Sequence, residues 1–166
     1  MGPYLSHPAL GSTDKMIVHR SVVASIYHNI HIEYGYRKTK SIYDTFCTLF
    51  SFHNETMNIW SHLIGFICVV VAGIHITWDL VQDSITSAAE VFALETYVVC
   101  AAICLFCSTL YHLFMCISEE CHDCLLKLDQ SGIALLMTGS FLPAVYYGRY
   151  SSFALVDRWL HICVCL

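Results

Sequence analysis

Residues 91–116, VFALETYVVCAAICLFCSTLYHLFMC, form an apolar run that decides the fold. A helix needs about 20 such residues to cross a bilayer, so this run predicts a transmembrane helix. His112 lies near its end, and Asp129 precedes the next apolar run. Ionisable side chains cost several kcal/mol in hydrocarbon, and they therefore mark functional sites by default. The stretch predicts a membrane-spanning helix and makes His112 and Asp129 candidate site residues.

The composition supports a membrane protein. The chain has 166 residues, of which 57% are hydrophobic and 13% charged, with a mean hydropathy of +0.59. Soluble domains carry roughly 25% charged residues. Five of the eight Lys and Arg residues precede the first apolar run, and no basic patch remains outside that segment. Nucleic acid is therefore not an expected partner.

The apolar runs predict an all-α membrane protein, a transmembrane helix bundle within residues 57–166. The predicted spans are about 58–78, 91–116 and 126–147, with the start of a fourth at 159–166. Eight apolar residues are too few to cross a bilayer. We therefore expect the chain to be an N-terminal fragment or a truncated product, incomplete at its C-terminal end.

The segment before the first span is polar and basic. We expect residues 1–40 to form a mostly flexible tail that becomes ordered near Tyr34, and 41–56 to form a helical segment at the membrane interface. Asn54 or Thr56 is the expected N-cap of the first span. Because the basic residues precede that span and the next loop has none, the N-terminus is predicted to be cytoplasmic. The expected location is the plasma membrane or another endomembrane.

Ser108, His112 and Asp129 form the candidate site. Ser108 and His112 are four residues apart and share one face of a helix, and Asp129 reaches the same layer from the next helix. Zinc accepts imidazole nitrogen, but it needs at least two further ligands. The alternative is that His112 is a packed core histidine bonded to a neighbouring helix.

Two cysteine patterns admit simpler interpretations. Cys116, Cys121, His122 and Cys124 match no common zinc-finger spacing, which favours a thiol-rich cytoplasmic loop over a metal site. Three further cysteines recur at helical spacing and favour close helix packing: Cys100, Cys104 and Cys107.

Three motifs carry a resemblance to a known family. They are Gly35-Tyr36-Arg37 with SFHNETMNIWSHLIG at 51–65, STLYH at 108–112, and KLDQSGIALLMTGSFLP at 127–143. From about residue 33 to residue 150, the chain resembles the progestin and adipoQ receptor family, also called haemolysin III-related proteins. Within that family it looks most like the adiponectin receptors.

The resemblance implies about three and a half helices of a seven-helix fold with a cytoplasmic N-terminus. It also implies a zinc ion near the cytoplasmic side, with His112 as a direct ligand and Asp129 in contact through a water. Ser108 matches the family's serine one turn before the histidine. The two remaining ligands belong to a His-x3-His motif on the seventh helix, and we expect them beyond residue 166.

The resemblance implies two activities. One is a receptor for an extracellular protein or lipid ligand, such as an adiponectin-like hormone or a steroid, that signals in lipid and energy metabolism. The other is a zinc-dependent intramembrane lipid amidohydrolase of the ceramidase type, with Asp129 as general base and Ser108 as a further catalytic residue. A truncated scaffold or regulatory form that associates with itself or with the full-length form is a third hypothesis. Membrane lipid is an expected partner in each case.

Overall fold

The computed structural model describes residues 16–39, 41–83 and 85–149. The elements in chain order are β1 Ile17–His19, β2 Tyr34–Arg37, α1 Ile42–Cys47, α2 Thr56–Gln82, α3 Ala88–Phe114 and α4 Glu119–Arg149. Short 3-10 turns are Arg20–Val22, Ser25–Tyr27 and Thr48–Phe50. The predicted start of a fourth span at 159–166 lies outside the described residues.

Helices α2 and α3 are both long and apolar enough to cross a membrane, by length and composition. Helix α2 covers the predicted span 58–78, and α3 covers the predicted span 91–116 except for its last two residues. Helix α4 covers the third predicted span, 126–147, and begins with an acidic first turn. The insertion of residues 126–147 in the membrane stays a prediction. Helix α3 packs against both α2 and α4 and is the central helix of the three.

Small residues set the close packing of α3 against α4. A methyl group added at Gly132 would lie 3.0 Å from the Cα atom of Cys104, and one added at Gly139 would lie 2.8 Å from the Cβ atom of Cys100. Glycine at such positions lets helix backbones approach closely in a bilayer. Cys100, Cys104 and Cys107 are all buried, which confirms the prediction that they form a packing stripe.

The helix starts differ from those expected. Ser87 and Glu90 form a capping box at α3. The N-cap of α2 is Glu55, without a side-chain capping bond, so the prediction of Asn54 or Thr56 as the cap was wrong. The Thr56 hydroxyl instead accepts the amide of His53. The predicted spans 91–116 and 126–147 also left a loop between them, but α4 begins at Glu119.

The early start of α4 has a local cause. The Ser118 hydroxyl accepts the amide of Cys121 at 3.1 Å, and the acidic residues Glu119 and Glu120 follow in the first turn. A serine that satisfies a free amide, followed by negative charge, stabilises a helix start. The polar composition that suggested a loop is therefore the start signal of a helix.

Residues 16–39 fold into a small unit, here called the N-terminal hairpin. Strands β1 and β2 pair antiparallel, with Val18 opposite Tyr36. The Tyr36 side chain is buried, and its hydroxyl accepts the amide of Asn29 at 2.8 Å. Gly35 has φ +105°, and its carbonyl accepts the amide of Asn54 at 2.9 Å. The chain is therefore ordered well before Tyr34, where order was expected to begin.

Candidate functional site

The candidate residues meet at one end of the helix bundle. Helix α2 begins there, α3 ends there and α4 begins there, and the N-terminal hairpin packs against the same end. We call this end the hairpin end. His112 lies in the last turn of α3, and Glu55 is the N-cap of α2. The antiparallel succession of helices therefore brings residues 57 positions apart into contact.

His112 and Glu55 form the best-defined pair of the site. The Nδ1 atom of His112 lies 2.8 Å from Oε2 of Glu55, and the two side chains are only 18% and 15% exposed. In neutral imidazole one nitrogen carries the proton and the other presents a lone pair. Because a carboxylate accepts hydrogen bonds, Nδ1–H donates to Glu55. The Nε2 atom of His112 is then the nitrogen with a lone pair for another group.

Three donors hold the Glu55 carboxylate in place. Besides His112, Asn58 donates to Oε2 and Asn54 donates to Oε1, both at 2.8 Å. Burial raises the pKa of Glu55, but the hydrogen bonds from His112 and Asn58, with the nearby charge of Arg37, outweigh it. The net effect lowers the pKa below its ordinary value. Glu55 is therefore ionised and fixed before any ligand arrives.

Arg37 attaches the N-terminal hairpin to the end of α3. Its side chain is buried and donates to the carbonyl of Leu113 at 2.8 Å and to the carbonyl of His112. The last carbonyls of a helix have no partner within the helix, and the guanidinium group supplies one with a favourable charge. Burial lowers the pKa of Arg37, and Glu55 opposes that shift. Arg37 thus holds the backbone of His112, and Glu55 holds its side chain.

A second histidine lies beside His112. The rings of His62 and His112 pack edge to face, with centroids 5.5 Å apart. The Nδ1 atom of His62 is buried and has no hydrogen-bond partner within the described part of the chain. Buried polar atoms are almost always bonded, so this nitrogen is available to a group outside the described residues. His75, the other histidine of α2, is 77% exposed and pairs with Asp79.

Ser108 and Asp129 lie on the two facing helices. Ser108 is buried on α3, one turn before His112. The Asp129 carboxylate, on α4, lies within electrostatic range of His62 and Tyr111. Both predicted residues therefore lie near the histidine pair, and within the described part of the chain neither forms a hydrogen bond to His112.

The thiol-rich segment has a structural role in the described residues. His122 is buried, contacts the hydroxyl of Tyr111 at 3.2 Å, and packs its ring against Tyr27 of the hairpin. The Sγ atom of Cys116 lies 3.3 Å from the hydroxyl of Thr39. No cluster of three metal-binding side chains is found in residues 16–39, 41–83 and 85–149. Cys121, His122 and Cys124 lie in helix α4, so most of the predicted thiol-rich loop is helical.

The structure also predicts an acid-sensitive residue at this end. Burial and the charge of Arg37 lower the pKa of His53 from 6.5 to about 4. As the pH falls from about 6.5 to 4, the unfolded chain gains a proton that the folded chain does not, so stability falls. We expect His53→Asn to reduce the difference in melting temperature between pH 7 and pH 5. Equal pH sensitivity in this variant and in the exposed-site control His31→Asn would contradict it.

The described residues fit part of a zinc site. An imidazole that donates Nδ1–H to a carboxylate and directs Nε2 elsewhere is the usual arrangement of a zinc-binding histidine. Beside it, the Nδ1 atom of His62 has no hydrogen-bond partner among the described residues. The described residues alone do not provide three ligands. They fit one ligand and its supporting carboxylate.

Sequence reasoning missed Glu55, Arg37 and His62 as members of this site. In the sequence, Glu55 lies between the two expected N-caps, Asn54 and Thr56, and inside the family motif SFHNETMNIWSHLIG. Contacts over 57 and 75 residues have no signature in local spacing. The available signal was the density of ionisable groups immediately before the first apolar span.

Comparisons with known proteins identify the family. A family model described as haemolysin-III related matches residues 50–166. The chain is 36% identical to heptahelical transmembrane protein 1 of Arabidopsis thaliana over 139 residues, 81% of this chain and 41% of that protein. It is 30% identical to progestin and adipoQ receptor family member 3 of Homo sapiens over 152 residues, 90% of this chain and 49% of that protein.

An adiponectin receptor protein of Drosophila melanogaster is 36% identical over 105 residues, 63% of this chain and 23% of that protein. The chain spans about half the length, or less, of these curated relatives. The match covers α2, α3 and α4, and with them Glu55, Ser108, His112 and Asp129. The chain therefore belongs to the haemolysin-III-related family of integral membrane proteins, which includes the progestin and adipoQ receptors.

Proposed function

We propose that this chain is part of a multi-pass membrane receptor of the adiponectin-receptor type, with a zinc site at the hairpin end of its helix bundle. His112 is the direct zinc ligand in this proposal, and Asp129 contacts zinc through a water. Two further histidine ligands are supplied from outside residues 1–166. The N-terminus, and with it the hairpin end, is cytoplasmic, and the protein signals in lipid and energy metabolism.

The observation that carries the proposal is the hydrogen bond between His112 and Glu55. It leaves the Nε2 lone pair of His112 available in a bundle end that also holds Asp129, Ser108 and the orphaned Nδ1 atom of His62. A core histidine that served only packing would not require an ionised carboxylate in fixed geometry. The receptor role is supported by the relatives, whose names identify them as adiponectin or progestin and adipoQ receptors.

A lipid amidohydrolase of the ceramidase type is the second candidate function. It is supported by buried Ser108, one turn before His112 on α3, and by Asp129 on the neighbouring helix α4. When bound, zinc lowers the pKa of a water and polarises a carbonyl oxygen. In this candidate, Asp129 accepts a proton and orients the water, and Ser108 steadies the substrate carbonyl. The substrate reaches these residues from within the bilayer.

The test uses protein expressed from its complete reading frame and reconstituted in nanodiscs. Adiponectin, progesterone and a fluorescent ceramide are the probes, and binding and amide cleavage are measured on the same samples. The receptor proposal predicts saturable binding of adiponectin or progesterone. A wild-type protein that binds neither adiponectin nor progesterone and does not cleave ceramide would contradict both functions.

His112→Ala separates the two candidates, with His75→Ala as the matched control on an exposed histidine. Ceramide cleavage that is present in the wild type and the control but lost in His112→Ala would support the hydrolase. Cleavage that survives His112→Ala would remove the zinc mechanism. Ligand binding without cleavage in any sample would support the receptor alone.

A further inference from the structure

We propose that Glu55 is a positioning residue that selects the tautomer and orientation of His112, so that Nε2 faces the metal. The inference deepens the proposed function and rests on it. Glu55 does not touch the metal in this arrangement and is not a ligand. Its role is exerted wholly through the imidazole of His112.

The first argument is the geometry of the pair. The distance of 2.8 Å between Nδ1 and Oε2 is that of a charge-assisted hydrogen bond. A free imidazole carries its proton on either nitrogen, so its two tautomers coexist. Only the Nδ1–H tautomer presents the Nε2 lone pair to the metal. A carboxylate that accepts from Nδ1 removes the wrong tautomer and raises the basicity of Nε2.

The second argument is that the Glu55 side chain does not cap its own helix. It is the N-cap residue of α2, where a side-chain oxygen normally accepts an amide of the first turn. No such capping bond is present at Glu55. Its two oxygens instead meet His112, Asn58 and Asn54. The carboxylate therefore joins the start of α2 to His112 on α3 instead of capping α2.

The third argument is that the carboxylate is pre-organised. Asn54 and Asn58 each bond one of its oxygens, and Arg37 lies close enough to stabilise its charge. The same Arg37 bonds the carbonyl of His112. Supporting residues that are themselves fixed hold a metal ligand in its productive geometry. The position of His112 thus follows from the start of α2 and the N-terminal hairpin together.

The test measures zinc affinity by chelator competition in the complete protein and compares Glu55→Ala with Glu55→Gln. We expect Glu55→Ala to weaken zinc binding about 10- to 100-fold. Glu55→Gln keeps an acceptor oxygen but no charge, so its loss is smaller, about tenfold or less. Glu33→Ala, at an exposed glutamate of the hairpin, is the matched control and leaves the affinity unchanged. Wild-type affinity in both Glu55 variants would overturn the inference.

A second readout is independent of the metal. In the metal-free protein, 15N shifts of labelled histidine, assigned by difference from His112→Ala, report the tautomer of His112. We expect the Nδ1–H form to dominate in the wild type and in the exposed-site control Glu33→Ala, and a mixture in Glu55→Ala. A mixture in the wild type would overturn the role of Glu55.

The two readouts separate the two proposals. If the wild type binds no zinc, the proposed zinc site fails, and the tautomer alone decides the role of Glu55. If zinc is lost in His112→Ala but retained at full affinity in both Glu55 variants, the zinc site stands and the positioning role fails.

Discussion

Gly132→Leu is expected to destabilise the protein by about 3 kcal/mol, because it forces α3 and α4 apart. A methyl group at this position would already lie 3.0 Å from the Cα atom of Cys104. Backbone cannot rotate away as a side chain can, so the helices must separate. Thermal unfolding in detergent measures the loss. Asp129 lies one turn before Gly132 and moves with α4, so zinc affinity is expected to fall as well.

Gly148→Leu is the matched control for this prediction. Gly148 is also in α4, but an added methyl group there meets no atom within 4 Å. The helix propensity of leucine is better than that of glycine, so this control is expected to be neutral or slightly stabilising. Equal melting temperatures of the two leucine variants would contradict the close packing of α3 against α4.

Arg37→Ala is expected to cost about 3 kcal/mol, since it removes two charge-assisted hydrogen bonds from the end of α3. The carbonyls of His112 and Leu113 lose their partner, and the N-terminal hairpin loses one of its attachments to the bundle. Arg37→Lys is expected to recover only part of the loss, because an ammonium group cannot reproduce the fork of the guanidinium. Limited proteolysis of the hairpin and thermal unfolding are the measurements.

Arg20→Ala provides the comparison on the same hairpin. Arg20 is partly exposed and lies 4.0 Å from Glu33, a surface pair that contributes about 0–1 kcal/mol. If Arg37→Ala and Arg20→Ala behave alike, the contact between Arg37 and the end of α3 does not support the hairpin. A large loss confined to Arg37→Ala would agree with the structure.

The sequence was informative wherever one helix carried the signal. The apolar runs predicted α2 and α3. The spacing of Cys100, Cys104 and Cys107 predicted a close-packing face, and the structure shows that this face meets α4. The family resemblance, read from motifs such as SFHNETMNIWSHLIG, is confirmed by the comparisons. These features depend on residues within a few turns of one another.

Features that join distant segments were not predictable in this way. The Glu55–His112 and Arg37–His112 contacts require three separate segments to meet, and no local pattern encodes that. The strand pair of the hairpin was missed because each strand has only three or four residues. The helical start at Ser118 was missed because polar, acidic residues were taken as a loop. The zinc assignment of His112 and Asp129 stays a prediction.

The most direct test of the account is the zinc content of protein purified from the complete reading frame, measured by mass spectrometry of the metal. The proposed zinc site predicts about one zinc per chain in the wild type and in His75→Ala, and far less than one in His112→Ala. Equal zinc in wild type and His112→Ala, or no zinc in the wild type, would contradict the proposed site at the hairpin end.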